Sequence, residues 1–299
     1  MGGDERVNTG TEDTEGTEKP SGAQWSGAGR GPSAELREFV AIVRPGGRVS
    51  ERAWDSGALR VPRESDVGGT QYGAPMDRPG IICETPTWLV VAKPAGWHTV
   101  QGKTEALEAA EQGGGVLESW LATERPELAE LPESGLVHRL DRDTSGCVVV
   151  AKDRETHTEL GRRFREGLGV RKFYLARCAT GLREEGSATL FFTSRHKGSI
   201  KITVKEMGEV RDAGRFRWRV LERDRVLGDL VELELIGPGK RHELRGGCAF
   251  LGAPLVGDAL YGGPPAPTLC LHASAVEIDG AEAHAPTPAW AARGSARGG

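Results

Sequence analysis

The sequence contains no CxxC pair: its five cysteines, at positions 83, 147, 178, 248 and 270, stand far apart. That spacing argues against both a zinc ribbon and a disulfide framework, and leaves reduced thiols in an intracellular protein as the plain expectation. No apolar run approaches the roughly 18–20 residues that a membrane-spanning helix requires, so no membrane partner is expected. No apolar h-region opens the chain, and its acidic start is unlike an arginine-rich transit peptide, so neither a secretory nor an organelle leader is expected. The net charge is only −4, which gives no global basic field pointing to nucleic acid. What is abundant is glycine, 43 of 299 residues, beside 37% hydrophobic and 27% charged residues. That balance fits a soluble globular protein with a sizeable core and long loops or unstructured ends.

Residues 1–35 are rich in Gly, Thr, Ser, Glu and Asp, too polar to bury the apolar area that ordering requires. They are expected to form a disordered tail, as are residues 291–299. From residue 80 the texture changes to short apolar stretches separated by glycine and proline. Strands are predicted at 88–93, 147–152, 172–178, 189–193, 200–204, 216–222, 231–236 and 269–273. "VELELI" (231–236) alternates apolar and acidic residues, as a strand with one wet face should. A helix is predicted after Asp153, its N-cap, with Leu160, Phe164 and Leu168 as the apolar stripe. Strands predominate and helices are few, which predicts an α+β domain around a central, mostly antiparallel sheet flanked by helices and loops.

The stretch "HRLDRDTSGCVVVAK" (138–152) packs several charge reversals into a turn before an apolar strand. A calcium loop would need a bidentate Glu at its twelfth position, which here is Lys152, and a helix after it rather than a strand. A phosphate loop at "IGPGKR" (236–241) fails as well. Arg241 follows the Lys where Ser or Thr is needed, and Glu234 stands at the first glycine position. Asp141 and Asp143 lie too near each other in sequence for a glycosidase pair, which usually comes from separate elements. What remains is either an ordinary turn or a loop that presents one carboxylate for chemistry.

This stretch resembles the HRLDxxTSGLLLxAK signature of RluA-like RNA pseudouridine synthases, and four more segments agree in the family's order. They are "VVAKPAGW" (90–97), "FREGLGVRKFYLARC" (164–178), "GKRHELRGGCAFLGAPLVGDALYG" (239–262) and "LCLHA" (269–273). The resemblance implies a pseudouridine synthase fold over residues 80–290, with a catalytic cleft across the sheet. Residues 36–79 would then be a linker or a degenerate small RNA-binding module, which "RVSERAWDSGALRV" resembles. The implied reaction isomerises uridine to pseudouridine in structured RNA, ribosomal or transfer, without cofactor or metal. A catalytically weak relative that acts as an RNA-binding or RNA-folding protein is the alternative.

The resemblance assigns Asp141 the essential carboxylate, as nucleophile at the anomeric carbon or as base beside it. Arg245 is implied as the cation that keeps this carboxylate ionised. Tyr174 is implied against the uracil ring, where it helps remove the C5 proton. Arg139, Arg142, Lys93, His138, Lys240 and Thr144 are the candidate contacts to an RNA whose target uridine is flipped out of its stack. The nine Arg or Lys of residues 138–172 face six acids, a local +3 that predicts salt-sensitive binding. A monomer is expected. The chain departs from the family pattern at Glu243, Gly246, Gly247 and Ala253. Two adjacent glycines predict a late or broken helix after Arg245, and an acid at 243 predicts mild repulsion of RNA.

Overall fold

The computed structural model describes residues 77–102, 114–194, 196 and 198–292. The proposed N-terminal tail, nearly all of the proposed module at 36–79, and residues 293–299 lie outside them. Ten strands form one sheet among the described residues. In chain order they are β1 (Gly80–Glu84), β2 (Trp88–Lys93), β3 (Ser145–Ala151), β4 (Val170–Cys178) and β5 (Glu185–Ser194). Then follow β6 (Ile202–Lys205), β7 (Ala213–Glu222), β8 (Asp229–Ile236), β9 (Leu271–Ile278) and β10 (Ala281–His284). The spatial order is β1-β2-β3-β9-β4-β8-β7-β5-β6, with β10 paired to β9. Each pairing is antiparallel except β3 with β9, a short parallel match of Ser145 to His272 and Gly146 to Ala273. The expected α+β architecture with a mostly antiparallel sheet is therefore present, and all eight predicted strands are in it.

Among the described residues, three α-helices flank the sheet: α1 (Leu117–Glu124), α2 (Arg154–Glu166) and α3 (Glu243–Phe250). α2 begins as predicted, with the Asp153 carboxylate accepting the Thr156 N–H at 2.8 Å. It ends at Gly167, whose φ of 71° suits a left-handed cap. Leu160 and Phe164 are buried against Val90, Ala92, Cys147 and Val149. Leu168 lies beyond the cap and is 54% exposed, so it is not part of the stripe. A separate cluster, which holds Leu89, Val91, Val148, Val150, Tyr174, Ala176 and Leu244, packs under α1 and α3. Successive residues of β2 and β3 alternate between the two clusters, as the two-residue period of a strand requires.

The wet face predicted for "VELELI" is not wet. Glu232 and Glu234 are both buried. The register sets Arg219 opposite Glu232 and Arg217 opposite Glu234, and each pair forms an ion pair. Arg171 of β4 reaches Glu234 from the other side at 3.1 Å. An acidic strand is thus buried between two arginine-bearing neighbours, which its own sequence cannot reveal.

α3 is also not broken by its two glycines. A Cβ on Gly247 would meet the Phe216 ring at 2.5 Å, and one on Gly246 would meet Val204 Cγ2 at 2.9 Å. Their missing side chains let the helix lie close against β6 and β7, and that packing offsets the poor helix propensity of glycine, about 1 kcal/mol each.

Candidate active site

The turn that carries Asp141 is held from both sides. Before it, the buried Thr99 hydroxyl donates to the Leu140 carbonyl at 2.8 Å and accepts the Leu140 N–H at 3.1 Å. After it, the Arg142 carbonyl accepts the Gly96 N–H at 2.9 Å and the Lys93 ammonium at 2.9 Å. Thr144 is buried, and its N–H donates to the Asp141 carbonyl at 3.1 Å, closing the turn. These clamps fix the backbone and leave the Asp141 side chain 29% exposed.

Arg245 projects from the first turn of α3 and meets Asp141 Oδ2 through Nη1 at 3.3 Å. Its other two nitrogens bind the buried Asp258 in a fork, at 2.7 and 2.9 Å. Burial alone would lower the guanidinium pKa. The Asp258 hydrogen bonds and the charges of Asp258 and Asp141 outweigh that and raise it. Arg245 is therefore a fixed cation whose geometry is set by Asp258 and whose free edge faces Asp141. Tyr174 of β4 is buried nearby. Burial, then the charges of Asp141 and Glu243, push its hydroxyl pKa up, so it stays protonated at neutral pH.

Lys93 and His138 are placed differently from the candidate contacts the sequence suggested. Lys93 is fully buried and donates to the carbonyls of Pro94 (3.0 Å), Trp97 (2.7 Å) and Arg142. Burial lowers its pKa to about 7. It shapes the Asp141 turn from beneath. His138 stacks on Phe164 at 4.2 Å, on the α2 side, and accepts the Val149 N–H at 2.9 Å. Burial pushes its pKa down to about 3, so it is a neutral structural group. Lys240 is partly exposed, but its ammonium donates to the Arg211 carbonyl at 2.6 Å. Arg139 is exposed and Arg142 is half-buried, with its guanidinium 4.0 Å from Asp143.

The nine bases of residues 138–172 do not make one face. Arg162 binds Glu159 and Glu166, Arg163 binds Asp279, Lys152 binds Glu84, and Arg171 binds Glu234 and Glu277. Of these, Arg162 and Arg163 ride on α2, whose apolar stripe packs into the cluster that does not contain Tyr174. Arg139 and Arg142 are the bases that flank Asp141.

Glu243 is not at the surface either. It is buried at the start of α3, where Oε2 accepts the Lys240 N–H at 2.6 Å. Burial raises its pKa from 4.5 to about 7, against the lowering effect of that hydrogen bond and of the Lys172 and Lys240 charges. Between pH 4.5 and 7 the unfolded chain releases this proton and the folded chain keeps it, so stability falls as pH rises through that window. Glu243→Gln removes the effect. The stability of the variant relative to the parent should therefore rise by about 3 kcal/mol between pH 4 and pH 8. Urea unfolding at the two pH values measures it, and a constant difference would contradict the buried acid.

Sequence reasoning missed Thr99, His242, Asp258 and Tyr261. Asp258 and Tyr261 sit in "GDALYG", a segment quoted for its resemblance, but their work depends on contacts made across the fold. His242 is the N-cap of α3 in a left-handed conformation, with its ring edge-on to Tyr261. Among the described residues, no group of three or more His, Cys, Asp or Glu is placed to hold a metal ion. No described helix is long and apolar enough to cross a membrane.

Residues 87–250 match the family described as RNA pseudouridylate synthase. The chain is 35% identical over 194 residues to the ribosomal large subunit pseudouridine synthase D of Xanthomonas campestris pv. campestris, covering 64% of this chain and 54% of that protein. It is 34% identical over 219 residues to the protein of the same name from Pseudomonas aeruginosa, covering 67% and 63%. The chain thus spans between about half and two thirds of the length of these relatives. Among solved structures, human RNA pseudouridylate synthase domain containing 4 shares the fold, with a TM-score of 0.53 and 23% identity. That alignment covers 71% of this chain and 90% of the human one. The matched segment runs through the Asp141 turn, Tyr174 and Arg245 and takes in more than half of the sequence, and the chain belongs to the RNA pseudouridylate synthase family.

Proposed function

We propose that this chain isomerises uridine to pseudouridine in RNA, with Asp141 as the essential carboxylate. The reaction breaks the bond from uracil N1 to the ribose, turns the base, and joins C5 to the same carbon. C5 loses a proton and N1 gains one, so nothing is oxidised or consumed and no cofactor is required. The observation that carries this reading is the clamped, half-exposed Asp141 beside an Arg245 locked by Asp258.

Arg245 binds Oδ2 of the carboxylate and turns the group toward the sugar, whether Asp141 acts as nucleophile or as base. Tyr174 remains protonated, so its part is to lie against the uracil ring rather than to stand ready as a base. The target uridine leaves its stack at an expense of a few kcal/mol, and Arg139 and Arg142 beside Asp141 hold the flanking phosphates. Lys93 and Thr144 act through the turn. The relatives are named for the large ribosomal subunit, and its RNA is the substrate proposed here. The chain works as a monomer.

The test is tritium release from RNA labelled at uracil C5, offered as separate ribosomal, transfer and messenger pools. Release from large-subunit ribosomal RNA is expected. An intact protein that binds RNA but releases tritium from no pool would replace this reading with that of an RNA-binding relative. The departures at Glu243, Gly246 and Gly247 do not favour that alternative, because all three are buried packing positions.

A further inference from the structure

His242 has no part in the scheme above, yet its imidazole Nε2 lies 3.8 Å from Asp141 Oδ2. Its other nitrogen, Nδ1, is 3.0 Å from the Tyr261 hydroxyl. That hydroxyl already accepts the buried Ile202 N–H at 3.0 Å. A phenol has one hydrogen, and with the oxygen accepting from Ile202 that hydrogen is free to be donated to His242 Nδ1. A neutral imidazole that accepts at Nδ1 carries its own proton on Nε2. The N–H then faces the Asp141 carboxylate. The opposite tautomer would strand the phenolic hydrogen in a buried place and turn the Nε2 lone pair toward an anion. Two independent penalties thus select the same form.

The imidazole is neutral at pH 7. Burial lowers its pKa, and Arg245 and Arg241 lower it further, against the raising effect of Asp141 and Asp258. Arg245 divides its donors between Asp258 and Asp141, and reaches the latter with one nitrogen only. A second donor at the same oxygen, Oδ2, would complete its orientation. At 3.8 Å the contact is longer than a hydrogen bond, and such contacts tighten when substrate is bound.

We propose that Tyr261 and His242 form a tautomer lock, in which the Tyr261 hydroxyl holds the His242 proton on Nε2 and so aims it at Asp141. His242 is then a positioning residue that acts through Asp141. The kinetic part of this proposal rests on the isomerase reading; the tautomer does not.

Nitrogen-15 NMR of histidine-labelled protein at pH 7.5 reads the lock without turnover. The His242 signals, assigned by their loss in His242→Gln, should show a protonated Nε2 and an unprotonated, hydrogen-bonded Nδ1. Tyr261→Phe should shift both toward a mixture of tautomers. A proton on Nδ1 in the parent protein would overturn the proposal whatever the activity.

Turnover supplies the second arm. Tyr261→Phe and His242→Ala should each lower kcat about ten- to a hundredfold, as small misplacements of a reacting group do. His242→Gln should recover most of the rate, because its amide offers an N–H near the place of Nε2 and needs no lock. Tyr261→Phe added to His242→Gln should then lower kcat less than about threefold. Tyr261 also supports Ile202, so melting curves are recorded for each variant. An equal loss from Tyr261→Phe in both backgrounds would mean that Tyr261 acts through packing alone and would overturn the lock. A parent protein with the stated tautomer but no tritium release would refute the isomerase reading and leave the lock standing.

Discussion

Asp141→Ala is expected to reduce tritium release from C5-labelled RNA by at least about 10⁴-fold, the scale on which removal of a central reacting group acts. RNA binding should stay within about threefold of the parent, because the phosphate attraction proposed for the exposed Arg139 and half-buried Arg142 does not depend on the carboxylate. Stability should also hold. Arg245 keeps both of its bonds to Asp258, and the turn is clamped through backbone groups of Leu140 and Arg142 rather than through the Asp141 side chain. Gel-shift binding, melting and tritium release on one preparation give the three readings. A variant that still isomerised at the parent rate would remove Asp141 from the mechanism.

A large effect on folding is expected from Gly146→Ala. Gly146 has a φ of 114°, a conformation that a residue with a Cβ adopts only under strain. The added Cβ would also lie 2.1 Å from the Ala273 carbonyl oxygen and 2.6 Å from its nitrogen. No side chain can yield, because the obstacle is the backbone of β9. Gly146 pairs with Lys93 on one side and Ala273 on the other, so any relief must open the seam between β3 and β9. Strain of this kind together with a lost strand contact should destabilise the fold by about 5 kcal/mol. Circular-dichroism melting should show a loss of about 10 °C or more. Gly80→Ala serves as the control, since a Cβ there meets nothing within 4 Å, and should melt with the parent. A Gly146 variant that also melted with the parent would sink the close-approach argument.

Much of the sheet is legible in the sequence because runs such as "WLVVAK" and "CVVVAK" are buried on both faces and bounded by turn residues. β1 and β10 are not, both being short. β10 is "AEAH", and only its partner β9 makes it a strand. Its signal was the Asp279-Gly280 pair, both at positive φ, which builds a two-residue hairpin turn. The buried acids of β8 were misread for a related reason: a local alternation cannot say that arginines on two neighbouring strands will cover it.

At the proposed site, the resemblance names Asp141 and Arg245, and the structure brings them into contact at 3.3 Å. Asp258 and His242 lie in the same quoted segment as Arg245, and Thr99 outside it, but what each touches is visible only once the chain is folded. Lys93 and His138 were misplaced for the converse reason. A lysine or histidine inside a polar motif reads as a surface charge, and nothing local announces that it is buried among carbonyls or stacked on a phenylalanine.

The place of β9 in the sheet has a consequence for how the molecule is made. Before β9 exists, the chain holds two separate half-sheets, β1-β2-β3 and β4-β8-β7-β5-β6. Asp141 leads into the first half, whereas Tyr174 and the helix that carries Arg245 pack on the second. β9 is next to last of the described strands to be synthesised, and it fills the middle, joining β3 to β4. During vectorial synthesis the two halves of the proposed site therefore cannot be joined through the sheet until almost all of the described chain has left the ribosome. Until then both half-sheets present open central edges. A growing chain stalled before Leu271 holds every residue proposed for the chemistry and no means of bringing them together.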